Sequence, residues 1–290
     1  MLTDRSWRVN IKAYSFLLPA LCLIFIFRIA PIVNVIGQSF LRSDYITRAK
    51  IFVGIKNYMD LFTDRSFWNS VWVTIKLNLI INPFQIAISV IMALLISQKF
   101  RGRLFYRALF FIPLGVSLPV TTIYFSIVFR PGGVMNFILN ALNVPIQNFL
   151  NSPQWALWIV IIIASWKGCS FWMIFIIAGL QNIPDDIYEA SRLEGAGPFR
   201  TFFSLTLPLL SKTILFVLVT DTAANFMMFI PVFMLTRGGP DNSTNVLMYE
   251  AYKTTFMQGD MGHGMAMVVF LLAMLICVLI FQFVFLRDKD

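Results

Sequence analysis

Four ionisable residues, Arg28, Lys76, Lys167 and Asp221, stand inside long apolar runs of a 290-residue chain. A charge in hydrocarbon is expensive, so each such group marks a pathway, a ligand site or a buried pair. Lys76 lies near the end of its run and can snorkel; Arg28 either does the same or marks a broken helix. Lys167 and Asp221 hold the chemistry. Asp221 and Asn225 are four residues apart and share one helical face, offering a carboxylate and an amide to a hydroxyl-rich ligand. The stretch SWKGCSFW groups Trp166, Lys167, Gly168, Phe171 and Trp172, with aromatic surfaces for sugar rings and a glycine that admits close approach to the backbone. A Lys167–Asp221 ion pair between two helices is the alternative, and both readings hold if an empty site neutralises its own charges. A Lys167 free to face ligand implies an anionic sugar, or a phosphorylated or sulfonated polyol.

A second constellation is the charged stretch DDIYEASRLEGAGPFRTFFSLTLP. Asn182 is a candidate cap, Pro184 belongs in a first turn, and Asp185 and Asp186 favour the positive end of a helix dipole. Ile187, Ala190 and Leu193 follow at helical spacing, and Gly195 supplies a stop. Pro198 then starts a second short helix with an aromatic edge of Phe199, Phe202 and Phe203. Asp185, Asp186, Glu189 and Glu194 would be repelled by an anionic leaflet. A protein groove is therefore the better receptor for this amphipathic helix.

The elements that must hold these residues are membrane helices. The chain is 58% hydrophobic and 13% charged, with 30 Phe and a mean hydropathy of +0.77, against about 25% charged in soluble domains. Six continuous apolar runs, 14–40, 71–97, 104–129, 155–180, 209–235 and 265–286, meet the roughly 20 residues a spanning helix needs. Continuous rather than alternating apolarity excludes barrel strands. Lys99, Arg101, Arg103 and Arg107 crowd the link between runs two and three, and Arg5, Arg8 and Lys12 precede the first, placing both on the cytoplasmic side. An even span count returns the C-terminus, with Arg287 and Lys289, to that side, along with the charged stretch. The loop 41–70 opposes this count with Arg42, Arg48, Lys50, Lys56 and Arg65, diluted by Asp44, Asp60 and Asp64. Its segment 52–68 reads as an amphipathic piece on the outer face. The first run lacks a small-residue cleavage pattern and is expected to stay as a helix.

Pro113 and Gly168 stand out among the prolines and glycines that punctuate the spans, because they adjoin the candidate site. Cys22, Cys169 and Cys277 lie apart within spans, with neither disulfide nor metal-ligand spacing. No phosphate-binding G-x-x-x-x-G-K-[ST] loop, H-E-x-x-H or G-x-S-x-G occurs, and His263 is the single histidine. No catalytic centre and no metal site is expected, and the chain carries no nucleotide-binding loop of its own. Nothing points to nucleic acid. An ion-gradient-driven secondary transporter is the alternative function; the lack of an internal inverted repeat argues against it.

EASRLEGAGPFRTFFSLTLPLL resembles the EAA loop of binding-protein-dependent ABC transporter permeases. IPDDIYEAS, GAGPFRTFF, LTRGGPD and FVGIKNYMDLF together resemble MalF-type sugar permeases over essentially the whole chain. The resemblance implies an all-α membrane protein of six transmembrane helices with the MetI-like type-1 ABC importer permease fold. Residues 1–70 would form the tail, first helix and outer loop, and 71–290 the type-1 core, with a coupling loop at about 182–208. Glu189, Ala190, Ser191, Gly195, Ala196, Gly197, Leu207 and Pro208 would couple to the ATPase; Ser191 replaces the second alanine of the motif. Lys167, Gly168, Phe171, Asp221, Asn225 and Met228 match positions lining the sugar site, as do Leu114 and Leu118, where polar side chains have become apolar. The partners implied are a second permease in a heterodimer, two ATP-binding subunits carrying ATP and Mg, an extracytoplasmic substrate-binding protein facing the TRGGPD loop, and the lipid bilayer. The location implied is the bacterial inner membrane, with both termini cytoplasmic.

Overall fold

The computed structural model describes the backbone of residues 3–43, 50–98 and 101–286, and the side chains of 14–42, 50–98 and 101–284. Asp44, Arg48, Lys99, Arg287 and Lys289, and the side chains of Arg5, Arg8 and Lys12, lie outside these. In chain order the elements are α1 (Thr3–Ile24), a π turn at Phe25–Ile29, α2 (Ala30–Ser39), β1 (Leu41–Ser43), β2 (Lys50–Phe52), α3 (Lys56–Thr63), α4 (Arg65–Ser97), α5 (Arg103–Gly115), α6 (Leu118–Phe129) and α7 (Val134–Ala141). There follow α8 (Ala156–Gln181), α9 (Asp185–Leu193), α10 (Pro198–Thr201), a π turn at Phe202–Thr206, α11 (Leu207–Leu209), α12 (Ser211–Phe226), a π turn at Val232–Thr236, α13 (Leu247–Tyr252), a further π turn at Lys253–Met257, and α14 (Met261–Leu286). Among the described residues, five helical stretches are long and apolar enough to cross a membrane, and six if Pro198–Leu209 and Ser211–Phe226, bent by 66°, count as one span.

The chain forms two compact units, Met1–Asp64 with Ala251–Phe270, and Arg65–Glu250 with Leu271–Asp290. In the first, β1 and β2 pair antiparallel with Leu41 opposite Phe52 and Ser43 opposite Lys50. The expected surface piece 52–68 is instead split between this hairpin, α3 and the start of α4. Asn57 is buried because its amide donates to the carbonyls of Ser39 (2.7 Å) and Leu41 (2.9 Å). Arg42 bridges Asp60 (3.3 Å) and Asp260 (3.8 Å), and Asp260 caps α14 by accepting the His263 N–H at 3.1 Å.

The second unit is the membrane bundle. α4 and α8 run parallel: Trp72 and Trp158 share a groove at one end, Gln85 meets Gly168 midway, and Leu94 and Leu180 line one pocket at the other. Val90, Ala93 and Ile96 of α4 pack on Trp172, Met173 and Ile176 of α8, with Leu210 and Val217 closing the cluster. Lipid is as apolar as this core, so burial alone does not hold such helices together; close packing and interhelical hydrogen bonds do. The polar residues Asn78, Asn82, Gln85 and Ser89, spaced 4-3-4 along α4, are all buried, and the last three supply such bonds. Ser89 donates to the Cys169 carbonyl at 3.0 Å.

Two spans depart from the continuous helices expected. The third breaks between α5 and α6, where Val116 (φ −98°, ψ 132°) and Ser117 (φ −68°, ψ 148°) are extended. Pro113 and Pro119 lack amide protons, so a helix running through this point would lose two of its own bonds. The fifth span turns by 66° near Leu210 and unwinds again after Phe226, where Met228 and Phe229 are non-helical before the π turn at Val232–Thr236.

Candidate functional site

All eight residues singled out for substrate, Leu114, Leu118, Lys167, Gly168, Phe171, Asp221, Asn225 and Met228, line one cavity of about 690 Å³ within the bundle. Three elements shape it. The α5–α6 break brings Leu114 and Leu118, the middle of α8 brings Lys167, Gly168 and Phe171, and α12 with its unwound end brings Asp221, Asn225 and the run from Met227 to Pro231. Gln85 of α4 completes the wall.

Asp221 and Asn225 share one helical face, as their spacing implies, and are bonded to each other. Asp221 is 2% exposed and Asn225 6%, and each is committed to its neighbours. Asp221 Oδ1 accepts the indole N–H of Trp172 (2.7 Å) and the amide of Asn225 (3.0 Å). Gln85, with its amide nitrogen turned to the carboxylate, donates to Oδ1 (2.6 Å) and Oδ2 (2.9 Å). Asn225 also donates to Asn82 Oδ1 (2.8 Å), and Thr222 Oγ1 accepts from Asn82 (2.8 Å) and Gln282 (2.9 Å). The result is one hydrogen-bonded network joining α4, α8, α12 and α14. Its burial requires such satisfaction, because an unpaired polar group in this interior would cost several kcal/mol.

Lys167 does not pair with Asp221, so that alternative is corrected. Its ammonium donates to the carbonyls of Val116 (2.6 Å) and Leu114 (3.3 Å). The break leaves those carbonyls without amide donors, and a cation at a helix C-terminus is favoured by the dipole. Gly168 also makes room for Gln85: a Cβ there would fall 2.6–2.9 Å from the terminal amide atoms of Gln85, so the missing side chain is what lets Gln85 reach Asp221. Gln85 and Asn82 are the functional residues that the search for charges in spans overlooks; their 4-3-4 spacing with Asn78 and Ser89 is the signal that finds them. Toward the cavity the exposed groups are Phe171 (44%), Thr220, Ala224 and Met227, with Lys167 half-buried. The cavity therefore presents an aromatic and thioether wall with a single cation among its lining residues.

The charged stretch folds as a helix, a glycine turn and a helix. Asn182 does not cap α9; it ends α8, its N–H bonded to the carbonyls of Gly179 and Leu180, and Pro184 occupies the N-cap position. Ile183 is buried in the bundle core, which draws the intervening residues into the joint. Asp185 and Asp186 lie in the first turn as expected. Gly195 has φ +76°, and the Ala196 and Gly195 amides return to the carbonyls of Ser191 and Arg192, both at 3.0 Å. That double return is a left-handed helix stop that favours glycine. Buried Ser191 bonds Thr201 Oγ1 at 3.0 Å and ties the two helices together. Glu189 and Ala190 are exposed, while Leu193 (91%) and Phe199 (81%) project from the loop with nothing over them.

Comparison with known proteins agrees with this arrangement. The family model for the "Binding-protein-dependent transport system inner membrane component" matches residues 85–289. The sulfoquinovosyl glycerol transport system permease protein SmoG of Agrobacterium fabrum is 32% identical over 283 residues, covering 97% of this chain and 92% of that protein. The sn-glycerol-3-phosphate permease UgpA of Brucella abortus biovar 1 is 31% identical, covering 97% and 96%. The trehalose/maltose permease MalF of Thermococcus litoralis is 30% identical, covering 94% and 92%. Among solved structures, a bacterial alginate ABC transporter in complex with an alginate pentasaccharide-bound periplasmic protein superimposes with a TM-score of 0.86 at 20% identity, over 98% of this chain and 96% of that one, a likeness of fold.

Proposed function

The chain belongs to the family of inner membrane components of binding-protein-dependent transport systems, and on that premise we propose that it is the substrate-conducting subunit of an ATP-driven importer for an anionic sugar or sugar-like polyol. The observation that carries the substrate class is the cavity, with aromatic and thioether walls and Lys167 as the only cation among its lining residues. Two of the relatives are named for a sulfonated and a phosphorylated polyol. Lys167 waits on the Val116 and Leu114 carbonyls; a sulfonate or phosphate outcompetes a neutral carbonyl for an ammonium because its bonds are charge-assisted. Phe171 then offers its face to the carbon skeleton.

ATP and Mg belong, in this reading, to separate ATPase subunits, two of them, and this chain pairs with a second permease and receives substrate from a binding protein. The loop from Asp185 to Leu209 is the coupling element. Its exposed Leu193 and Phe199 meet an apolar cleft on the ATPase, with Gly195 fixing the turn. That assignment puts the loop and both termini in the cytoplasm, which agrees with the basic residues Arg101, Arg103 and Arg107 beside α5.

Reconstitution in proteoliposomes with the partner subunits tests the proposal. Uptake should require ATP and the binding protein, ignore proton and sodium gradients, and favour sulfonated or phosphorylated polyols over neutral ones. Uptake driven by an ion gradient without ATP would overturn the importer reading, and equal uptake of neutral sugars would overturn the anionic one.

A further inference from the structure

A groove of about 220 Å³ lies between the N-terminal ends of α4 and α8, roughly 30 Å along α4 from the coupling loop at 1.5 Å per residue. Its walls are Trp72 and Trp158, both about half exposed, and its polar lining comes from Lys76, Asn69, Gln154 and Ser243. Asn69 is committed, donating to the Asn242 carbonyl at 3.1 Å. Among the described residues, the Lys76 ammonium, the Gln154 amide and the two indole N–H groups have no hydrogen-bond or ion-pair partner. The Ser243 hydroxyl is buried and equally unpartnered. No carboxylate lines the groove. An ammonium, an amide, a hydroxyl and two indoles line one groove with no carboxylate among them, and the chemistry that fits is an anion rich in oxygen.

The depth of the groove names the source of that anion. α4 has 33 residues and α8 has 26, about 50 and 39 Å long, against a hydrocarbon core of about 30 Å. Their ends therefore emerge at the headgroup level, where Trp residues collect. Val73 and Leu157 form an apolar floor at the level of the indoles, Ile80 extends it one turn beyond Lys76 toward mid-span, and Leu79 beside it is exposed. A soluble phosphate would leave that floor bare, whereas a lipid covers it with the start of an acyl chain.

We propose that this groove binds the phosphate headgroup of an anionic phospholipid. Lys76 is the cation, Gln154 and Ser243 are the donors, and the two indoles flank the glycerol region. The test is native mass spectrometry of the full chain, purified with its associated subunits and offered dioleoyl phosphatidylglycerol or dioleoyl phosphatidylcholine. The wild type should retain phosphatidylglycerol preferentially, and Lys76→Gln should lower that retention about fivefold, the effect of ~1 kcal/mol per basic residue near a membrane surface. Trp158→Phe, which keeps the ring and removes the donor, should lower it less. Lys76 is exposed, so the substitution leaves the fold in place. Equal retention by wild type and Lys76→Gln would overturn the site. Displacement of the lipid by free glycerol 3-phosphate would reassign it to a soluble anion, and cross-linking of Lys76→Cys to a neighbouring subunit would show the groove covered by protein; either result overturns the lipid assignment. Transport is not read, so the result stands or falls apart from the importer reading.

Discussion

Gly168→Ala should weaken the centre of the bundle through a residue on another helix. The new methyl would stand 2.6–2.9 Å from the three terminal atoms of the Gln85 amide, whereas unstrained heavy-atom contacts lie at about 3.5–4.0 Å. The amide must therefore retreat by about 1 Å. Its bonds to Asp221, at 2.6 and 2.9 Å, would then exceed the ~3.2 Å limit of a useful N–H···O bond. Leaving a buried acceptor short of its donor costs about 1–3 kcal/mol, and the better helix propensity of alanine returns up to ~1 kcal/mol. From the middle of that cost range the net loss is about 1 kcal/mol, a fall of roughly 2–4 °C in thermal midpoint at ~2–4 °C per kcal/mol for a chain of this size. Thermal unfolding of the purified complex reads the fall directly. The decisive comparison is the double variant: once Gln85→Ala has removed the amide, the three nearest contacts of the methyl at Gly168 are gone, so Gln85→Ala/Gly168→Ala should be no less stable than Gln85→Ala alone. A neutral Gly168→Ala, or penalties that add in full in the double variant, would refute the role given to Gly168.

Four further outcomes follow from the same structure. Lys167→Met should reduce uptake of an anionic substrate at least tenfold while Lys167→Arg keeps part of it; uptake by Lys167→Met equal to wild type would remove Lys167 from the site. Asp221→Ala strands donors from Trp172, Gln85 and Asn225, so it should lower assembly as well as uptake, and a stably assembled complex would show the network to be dispensable. Gly195→Ala forces a Cβ into the left-handed region at about 1–2 kcal/mol, and should loosen the ATPase in co-purification without changing ligand affinity. Leu193→Asp, at a position 91% exposed, should leave the thermal midpoint of the isolated chain unchanged and abolish ATPase retention; full retention would place the docking surface elsewhere.

The spans were legible because a chain crossing lipid must satisfy its backbone internally, which leaves long apolar runs as the visible trace. The turn at Gly195 was legible for a local reason: acids, an apolar period of three to four, then glycine and proline leave few alternatives to helix, stop and helix. Lys167 and Asp221 were legible as individuals and misleading as a pair. Opposite charges in adjacent spans invite a salt bridge, yet what each met was decided by partners that charge counting ignores. Lys167 met carbonyls freed between Pro113 and Pro119; Asp221 met uncharged amides from α4 and from its own helix, and an indole from α8. The Asn182 cap failed because Ile183 is pulled into the core, a tertiary demand with no local signature. The hairpin of Leu41–Ser43 with Lys50–Phe52 involves only three residues a side, too few to show an alternating pattern.

The cavity is bounded by two kinds of wall, and the difference decides where a ligand can act. On one side the Gln85, Asp221, Trp172, Asn225 and Asn82 bonds join three helices, and no member can move without leaving a buried polar atom unpaired. On the other side stand two interruptions, at Val116–Ser117 and at Met227–Phe229, where the helical ladder is already open. Lys167 spans the two: its backbone belongs to α8, beside the fixed network, and its ammonium holds the carbonyls of the α5–α6 break. A ligand that draws the ammonium away therefore changes the constraint on the break while leaving the frame intact. The α5 helix runs from that break to Arg103, which lines a pocket with Asp185, Glu189 and Arg192 of α9. Occupancy of the cavity and the position of the coupling loop thus share one short rigid helix, and a substitution that frees the break, Lys167→Met, should raise ligand-independent ATP hydrolysis by the assembled complex while it lowers uptake. ATP hydrolysis that falls in parallel with uptake would show that Lys167 holds only the ligand and not the break.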